Sequence, residues 1–179
     1  MKKYLTKRNI ILVVLCIVVL VGCGHHYYRK RAEMKQQYFN AVLTAANKGW
    51  DMTGGRITPE SDEHFHELRD TFIVAKTQLF DLRGDEATLR EQYNSYPKAF
   101  DLIEWYAGFN VSNIPLTFDV FTEDSADAQI QQLCTATQIL IDHYTMKIVN
   151  DETPPQSFEE YLQLIENDPR TAEIDFEET

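Results

Sequence analysis

The feature that most constrains this chain is an almost unbroken apolar run, Ile10–Cys23, which follows a basic start with Lys2, Lys3, Lys7 and Arg8. A helix that spans a bilayer needs about 20 apolar residues, whereas the apolar core of a secretory signal is shorter. Counted to Gly24, the run holds 15 residues. Its length and basic flank therefore favour an export signal or a short membrane anchor over a helix in a soluble core.

The apolar run ends in Leu20-Val21-Gly22-Cys23, with a branched apolar residue three places before the cysteine and a small residue directly before it. This pattern resembles the lipobox of bacterial lipoprotein signal peptides. The resemblance implies that Cys23 receives a diacylglycerol, that residues 1–22 are cleaved off and that the new amino terminus is acylated. Several acyl chains hold a protein on a membrane far better than one, at about 0.8 kcal/mol per buried CH₂. We therefore interpret residues 1–22 as a lipoprotein-type signal peptide and Cys23 as the lipidation site.

An uncleaved transmembrane anchor over residues 10–28 is the alternative interpretation. Tyr27 and Tyr28 would then lie at the membrane interface, where tyrosine is enriched. The basic segment Arg29-Lys30-Arg31 supports this alternative, because positive charge directly after an apolar run resists translocation. The two interpretations differ in whether the anchor is a lipid or a helix.

Both interpretations place the bulk of the chain at the periplasm or the cell exterior, unless the flanking charge inverts the topology. Gly24, rather than an aspartate, follows Cys23. By resemblance to enterobacterial sorting, this favours the outer membrane over the inner one where the organism has both. Cysteine usage fits the lipoprotein interpretation. Cys16 would leave with the signal, Cys23 would be lipidated, and Cys134 would remain as a lone thiol that cannot form an internal disulfide.

The charge of the chain is strongly acidic, with 28 Asp and Glu against 17 Lys and Arg and a formal net charge of −11. Removing residues 1–22 takes away four basic residues and no acidic one, which leaves 13 basic against 28 acidic residues and a charge of −15. We expect no nucleic-acid partner, because phosphate binding needs a basic face. The acidity is concentrated in residues 151–179, where Arg170 is the one basic residue.

Helical patterns follow the apolar run, with no convincing series of strands. The first predicted helix runs from Tyr27 to Lys48, with Gly49 as its left-handed C-cap. The second begins with Thr58 as N-cap and Pro59 as its first helical residue. Its apolar residues keep a 3-4 spacing as far as Gly84: Phe65, Leu68, Phe72, Ala75, Leu79 and Leu82.

Shorter helices are predicted in the middle of the chain, one capped by Asp85 and the next beginning after Pro97. Residues 109–124 are predicted to form an ordered loop, with a short strand as the alternative. Ser125 is predicted to cap the last long helix, which Pro154-Pro155 ends. The apolar face of that helix is predicted to consist of Ile130, Leu133, Thr137, Leu140, Tyr144 and Ile148.

A capping box, Ser157 to Glu160, is predicted to open a final short helix. The acidic tail 167–179 has few apolar residues, and we expect it to be disordered. Because each apolar seam must be buried against another, the predicted fold class is all-α. It is a membrane-anchored helical bundle over residues 23–166, with three long amphipathic helices and two or three short ones.

Residues suited to metal or haem binding are few. Glu63 and His66 have the i, i+3 spacing by which di-metal bundles present ligands from one helix, but the chain has no second Glu-x-x-His. A haem between His143 and Met34 or Met146 would lack a Cys-x-x-Cys-His attachment motif. The aromatic residues on the apolar faces of the predicted helices more often form a core than a ligand site. We expect no metal and no cofactor.

We do not expect an enzyme. The chain has no Gly-x-Ser-x-Gly motif, and three of its serines are predicted to lie at caps or in first helical turns: Ser61, Ser125 and Ser157. Cys134 lies in a helix interior, where a thiol is usually inert, and the side chains of Asp142 and His143 diverge on a helix. Catalysis would have to unite residues far apart in the chain, such as His66, His143 and Glu104.

Interaction with another protein is the function that these observations favour. We expect a lipid-anchored bacterial envelope protein that acts as a non-enzymatic interaction module of adaptor, inhibitor or immunity type. A basic envelope protein fits as its partner, since complementary charge speeds encounter, although acidity also serves solubility alone. The alternatives are a helical bundle that binds haem, a metal or an apolar ligand, and a single-pass membrane protein of the envelope.

Overall fold

The computed structural model describes residues 7–55, 59–114, 117 and 127–176, and it divides into two compact units, Met1–Gln36 and Gln37–Thr179. Over the described residues all regular secondary structure is helical, which confirms the all-α prediction. The α-helices in these ranges are α1 Lys7–Met52, α2 Asp62–Asp81, α3 Arg83–Gln92, α4 Pro97–Gly108, α5 Ala128–Asp142, α6 Thr145–Val149 and α7 Phe158–Glu166. Two 3₁₀ helices, Val111–Asn113 and Pro169–Glu173, complete the described elements.

The described part of the first unit is the amino-terminal part of α1. The apolar side chains between Val14 and Val21 are 53–70% exposed, and because they occupy two successive turns they point to every side of the helix. Further along, Arg29 Nε lies 2.8 Å from Glu33 Oε1, and the Arg31 guanidinium lies 5.2 Å from the centroid of the Tyr27 ring. Among the residues that the structure describes, none of the helices combines the length and the apolarity that a membrane span requires.

In the second unit, Gly49 lies inside α1 and does not cap it, so the predicted helix end at Lys48 is wrong. A Cβ atom on Gly49 would lie 2.1 Å from the hydroxyl oxygen of Tyr106, which packs directly on the helix backbone. That hydroxyl donates to the Ala45 carbonyl at 3.3 Å and lies 3.2 Å from Thr137 Oγ1. The glycine serves close packing, and the left-handed backbone occurs later, at Gly54 with φ 79°.

The start of α2 differs from the prediction. Thr58 lies outside the described residues, Pro59 precedes the helix, and the N-cap is Ser61, whose Oγ accepts from His64 N at 3.2 Å. The predicted seam is correct, since it is buried from Phe65 to Leu79 and half-buried at Leu82.

The α2–α3 junction also corrects a prediction. Leu82 ends α2 and begins α3, because its N–H bonds to Leu79 O while its carbonyl accepts from the N–H groups of Asp85 and Glu86. Gly84 and Asp85 therefore lie inside the first turn of α3, and they are neither a helix stop nor a cap. Backbone hydrogen bonds at Leu82 replace the side-chain cap that was predicted at Asp85.

The last predicted long helix is interrupted. Ser125 lies outside the described residues, and Asp127 caps α5 by accepting from the N–H groups of Gln129 and Ile130 at 3.0 and 3.3 Å. The helix ends at Asp142, because the backbone of Tyr144 leaves the helical region and its ring packs on Phe39 with centroids 5.5 Å apart. The apolar seam is buried as far as Leu140, whereas Ile148, beyond the break, is exposed.

The loop predicted over residues 109–124 is described only in part. Val111–Asn113 forms a 3₁₀ helix and Ile114 is buried. Residues 115–116 and 118–126 lie outside the described ranges, and with them most of the segment for which a strand was the alternative.

Phe158, at the start of α7, is the point at which α7 packs against α1, α4 and the turn after α3. Its ring contacts those of Tyr38 and Phe39 from α1, Phe100 from α4 and Tyr93 after α3, at centroid distances of 5.9, 5.4, 6.3 and 5.9 Å. The predicted capping box holds this residue in place, since Ser157 Oγ accepts from Glu160 N at 3.2 Å. Apolar faces of separate helices thus bury one another, and the helical bundle is confirmed.

The acidic tail is folded over residues 167–176, so the prediction of disorder over 167–179 is wrong for its described part. Asp168 caps the 3₁₀ helix Pro169–Glu173 by accepting from Arg170 N at 2.9 Å. Thr171 and Ile174 are buried. The prediction failed because it weighed apolar content alone, while ion pairs and one buried isoleucine hold this segment.

Candidate functional site

The three cysteines lie in different surroundings. Cys23, the predicted lipidation site, and Cys16 both have exposed thiols on α1. Cys134 is half-buried, and burial raises the pKa of its thiol to about 11. A thiol with that pKa is protonated at neutral pH and is a poor nucleophile.

The candidate catalytic and metal residues lie on different elements of the fold. Glu63 and His66 are exposed on the first turns of α2. His143 Nε2 lies 2.8 Å from Asp168 Oδ2, and Glu104 Oε2 lies 2.9 Å from an Arg90 nitrogen. Within the part of the chain that the structure describes, no group of three or more His, Cys, Asp or Glu side chains is placed to hold a metal ion.

A carboxy-terminal clasp, formed by Asp142, His143, Asp168 and Arg170, joins the end of α5 to the tail. Arg170 Nη1 lies 2.8 Å from Asp142 Oδ2, and its Nη2 lies 2.6 Å from Asp168 Oδ2. Burial alone would raise the pKa of Asp168, but hydrogen bonds from Arg170 and His143 outweigh it and hold the pKa at about 2. The clasp therefore binds the tail through the charged form of Asp168.

Asp168→Asn is expected to lower the free energy of unfolding by about 2 kcal/mol at pH 7, from the lowered pKa. A lowered carboxyl pKa stabilises the fold above the unfolded-state value near 4, and this contribution is lost as pH falls towards 2. Urea unfolding at pH 7 and between pH 5 and 2 measures both effects.

The wild type should therefore lose this stability between pH 4 and 2, while Asp168→Asn should not. Asp81→Asn is the control, because Asp81 is exposed at the end of α2. A difference between wild type and Asp168→Asn that stays constant down to pH 2 would contradict the role given to the charge.

An acidic aromatic pocket of about 390 Å³ opens among the ends of α2 and α4, α3 and the tail. Its wall combines carboxylates and one arginine with aromatic rings, and the residues that define it are Phe80, Arg83, Glu86, Asp101, Glu104, Trp105 and Phe176. Pockets of 300–1,000 Å³ that bring a few polar groups to apolar walls are the usual form of small-ligand sites.

Arg90, on α3, connects the three carboxylates of the pocket. Its guanidinium lies 2.7 Å from Asp101, 2.9 Å from Glu104 and 3.5 Å from Glu86. Glu86 is buried, and burial followed by the charge of Glu104 raises its pKa, although Arg90 acts in the opposite direction. One arginine thus forms ion pairs with three carboxylates, of which Glu86 is buried.

The aromatic wall of the pocket already carries one cation. The Arg83 guanidinium lies 4.5 Å from the centroid of the Phe80 ring, within the range of a cation–π contact. Trp105 is 3% exposed and packs edge-on against Phe109 with centroids 5.4 Å apart. Its indole N–H has no hydrogen-bond partner among the described residues.

Two other features of the second unit, the buried Lys76 and a second groove, are weaker candidates for a functional site. Lys76 is buried, and burial lowers the pKa of its amine, but its Nζ donates to the Ala107 carbonyl at 2.8 Å near the end of α4. A second, more open and mainly apolar groove lies between α1 and α2, with Val74 exposed in its wall. It presents few polar groups that would orient a ligand.

Neither the clasp nor the pocket is among the sites predicted from the sequence. Asp168-Pro169 is an N-cap followed by proline at the first helical position, which is a readable helix-start signal. Glu86 and Arg90 have i, i+4 spacing on α3, but Phe176 joins them only through the folded tail. Comparisons with protein-family models, with curated proteins and with solved structures found no match to this chain.

Proposed function

We propose that this protein is a lipid-anchored module of the bacterial envelope that binds another protein and is not an enzyme. The observation that carries the proposal is the exposed apolar helix surface from Val14 to Val21, directly before the exposed thiol of Cys23. Apolar surface of this extent is unfavourable in water and marks contact with a membrane or another protein. The lipobox-like ending of the run favours export and lipidation.

The interaction part of the proposal rests on charge and on the acidic aromatic pocket. A formal charge of −11, which becomes −15 without residues 1–22, favours encounter with a basic partner. The pocket, with its buried Glu86, is also the observation that supports the second candidate function, a bundle that binds a small ligand. The uncleaved anchor over residues 10–28 remains the alternative mode of attachment.

Lipidation is tested by expressing the full chain in a bacterium beside Cys23→Ala and the control Cys16→Ala. We expect the wild type and Cys16→Ala to lack residues 1–22, to carry lipid mass and to enter the detergent phase. Cys23→Ala should keep residues 1–22 and gain no lipid. Intact-mass spectrometry and detergent partitioning measure these outcomes.

Other outcomes of these experiments would support one of the alternative functions. If wild type and Cys23→Ala both keep Met1, carry no lipid and stay with the membrane, the anchor is the helix over residues 10–28. If purified wild type carries a stoichiometric metal or a coloured ligand, the ligand-binding bundle replaces the protein-interaction module.

A further inference from the structure

A basic collar on α1 follows the predicted lipidation site, and it consists of Arg29, Lys30, Arg31 and Lys35. Residues 24–36 hold these four basic residues and one acidic residue, Glu33. Residues 37–179, by contrast, hold nine basic residues against 27 acidic ones. An anionic membrane surface repels acidic residues and attracts basic ones, so the collar is the part of the chain after residue 23 that such a surface would attract.

The collar surrounds the helix and does not form a stripe along it. Successive residues of an α-helix point about 100° apart, so Arg29, Lys30 and Arg31 point to three different sides. The apolar side chains from Val14 to Val21 also point to every side. A helix that lies flat on a membrane separates its apolar and charged residues onto two faces. Here they are separated along the helix axis, which fits a helix that approaches the membrane end-on.

The spacing along α1 places the collar at the level of lipid headgroups. Two exposed tyrosines, Tyr27 and Tyr28, lie between Cys23 and the collar, and tyrosine is enriched at the membrane interface. At a rise of 1.5 Å per residue, Arg29 lies about 9 Å and Lys35 about 18 Å along the helix from Cys23. The headgroup layer is about 6 Å thick, and charges act over about 8 Å beyond it at physiological salt. The first three cations therefore lie within reach of charged headgroups.

The cations of the collar have few competing partners. Lys30 is exposed and forms no ion pair within the described ranges. Arg29 pairs with Glu33, but both side chains are exposed, and such a pair adds little stability and is screened by salt. The Arg31 guanidinium lies 5.2 Å from the centroid of the Tyr27 ring, which joins a cation to an interfacial aromatic residue. Arginine and lysine both bind phosphate groups, arginine through paired N–H donors.

We infer that the basic collar binds the headgroups of anionic phospholipids in the membrane to which the chain is attached. This inference rests on the proposed membrane attachment and names the lipid class around it. Charge complementarity supports it, as does the continuity of the collar with the membrane-facing part of α1. An acidic protein would meet the same cations, but it would not account for the exposed tyrosines between them and Cys23.

The test measures how the purified full chain distributes between two kinds of vesicle, at a detergent concentration that allows exchange and leaves the vesicles intact. One kind contains phosphatidylcholine alone, and the other also contains phosphatidylglycerol as the anionic lipid. We expect the wild type to favour the anionic vesicles about tenfold at low salt and to distribute evenly at high salt. Intact mass establishes first that all preparations compared carry the same anchor.

Substitutions assign the preference to the collar. Lys30→Gln should lower it about fivefold, the effect of one basic residue near an anionic surface, and Arg29→Gln, Lys30→Gln and Arg31→Gln together should abolish it. Lys98→Gln is the matched control, because Lys98 is an exposed lysine on α4, and this variant should distribute like the wild type. Arg29→Lys combined with Arg31→Lys keeps both charges and should keep the preference.

The remaining outcomes overturn the inference. An even distribution of the wild type at low salt, or a preference for neutral vesicles, means that the collar does not bind anionic lipid. A preference that survives the triple substitution belongs to another part of the chain. Equal losses for Lys30→Gln and Lys98→Gln would make net charge, and not the collar, responsible. A chain that stays with neither kind of vesicle overturns the proposed attachment as well, whereas an even distribution overturns this inference alone.

Discussion

Replacing Phe158 by alanine is expected to lower the free energy of unfolding by about 3 to 5 kcal/mol, the range for large-to-small changes of buried aromatic residues. Phe158 is buried, and its ring contacts four aromatic rings from other parts of the second unit. Alanine would leave a cavity among side chains from α1, α4 and the turn after α3. Such rings cannot close the space without losing contacts with one another.

Urea unfolding followed by circular dichroism measures this loss. Phe80→Ala is the matched control, because Phe80 is 40% exposed and its ring contact is with Arg83 at the surface. We expect the control to lose less than about 1 kcal/mol, the value of an exposed cation–π contact. Equal losses for the two variants would show that Phe158 is not the centre of the packing.

The parts of the fold that the sequence predicts well are those with local causes. The 3-4 spacing from Phe65 to Leu79 predicts a buried face, because helix geometry alone brings those side chains to one side. The capping box at Ser157 is likewise local, since donor and acceptor are three residues apart. Patterns of this kind need no knowledge of the rest of the chain.

The parts that the sequence does not predict depend on contacts between distant segments. The break between α5 and α6 accompanies packing of Tyr144 on Phe39 and the bond from His143 to Asp168. The order of the tail depends on the same aspartate. Helical periodicity over residues 130–148 predicts one continuous helix, because it contains no information on partners 25 or more residues away.

The acidic aromatic pocket illustrates the same limit for the candidate site. The sequence suggests Glu104 only as one member of a hypothetical catalytic group. Arg90 joins Glu86, Asp101 and Glu104 because α3 and α4 fold back on each other, and Phe176 arrives through the clasped tail. A prediction that treats residues 167–179 as disordered cannot place a pocket wall there.

Gly49→Ala is expected to lower the free energy of unfolding by about 2 to 4 kcal/mol, from overpacking and from loss of a buried hydrogen bond. The new Cβ atom would lie 2.1 Å from the Tyr106 hydroxyl oxygen. Tyr106 would have to move away from Ala45 O and Thr137, with its hydroxyl still buried. Helix propensity predicts the opposite sign, because alanine favours a helix over glycine.

Gly84→Ala separates the two effects. Gly84 lies inside α3, and a Cβ atom added to it would meet no other atom within 4 Å, so alanine there should raise the free energy of unfolding by about 0.4 to 1 kcal/mol.

In a Tyr106→Phe background the clash with the hydroxyl is absent, and Gly49→Ala should cost less than it does in the wild type. Urea unfolding of the wild type, Gly49→Ala, Tyr106→Phe and the variant that combines both changes completes this double-mutant cycle. Stabilisation by Gly49→Ala in the wild type would mean that propensity, and not the approach of Tyr106, decides this position.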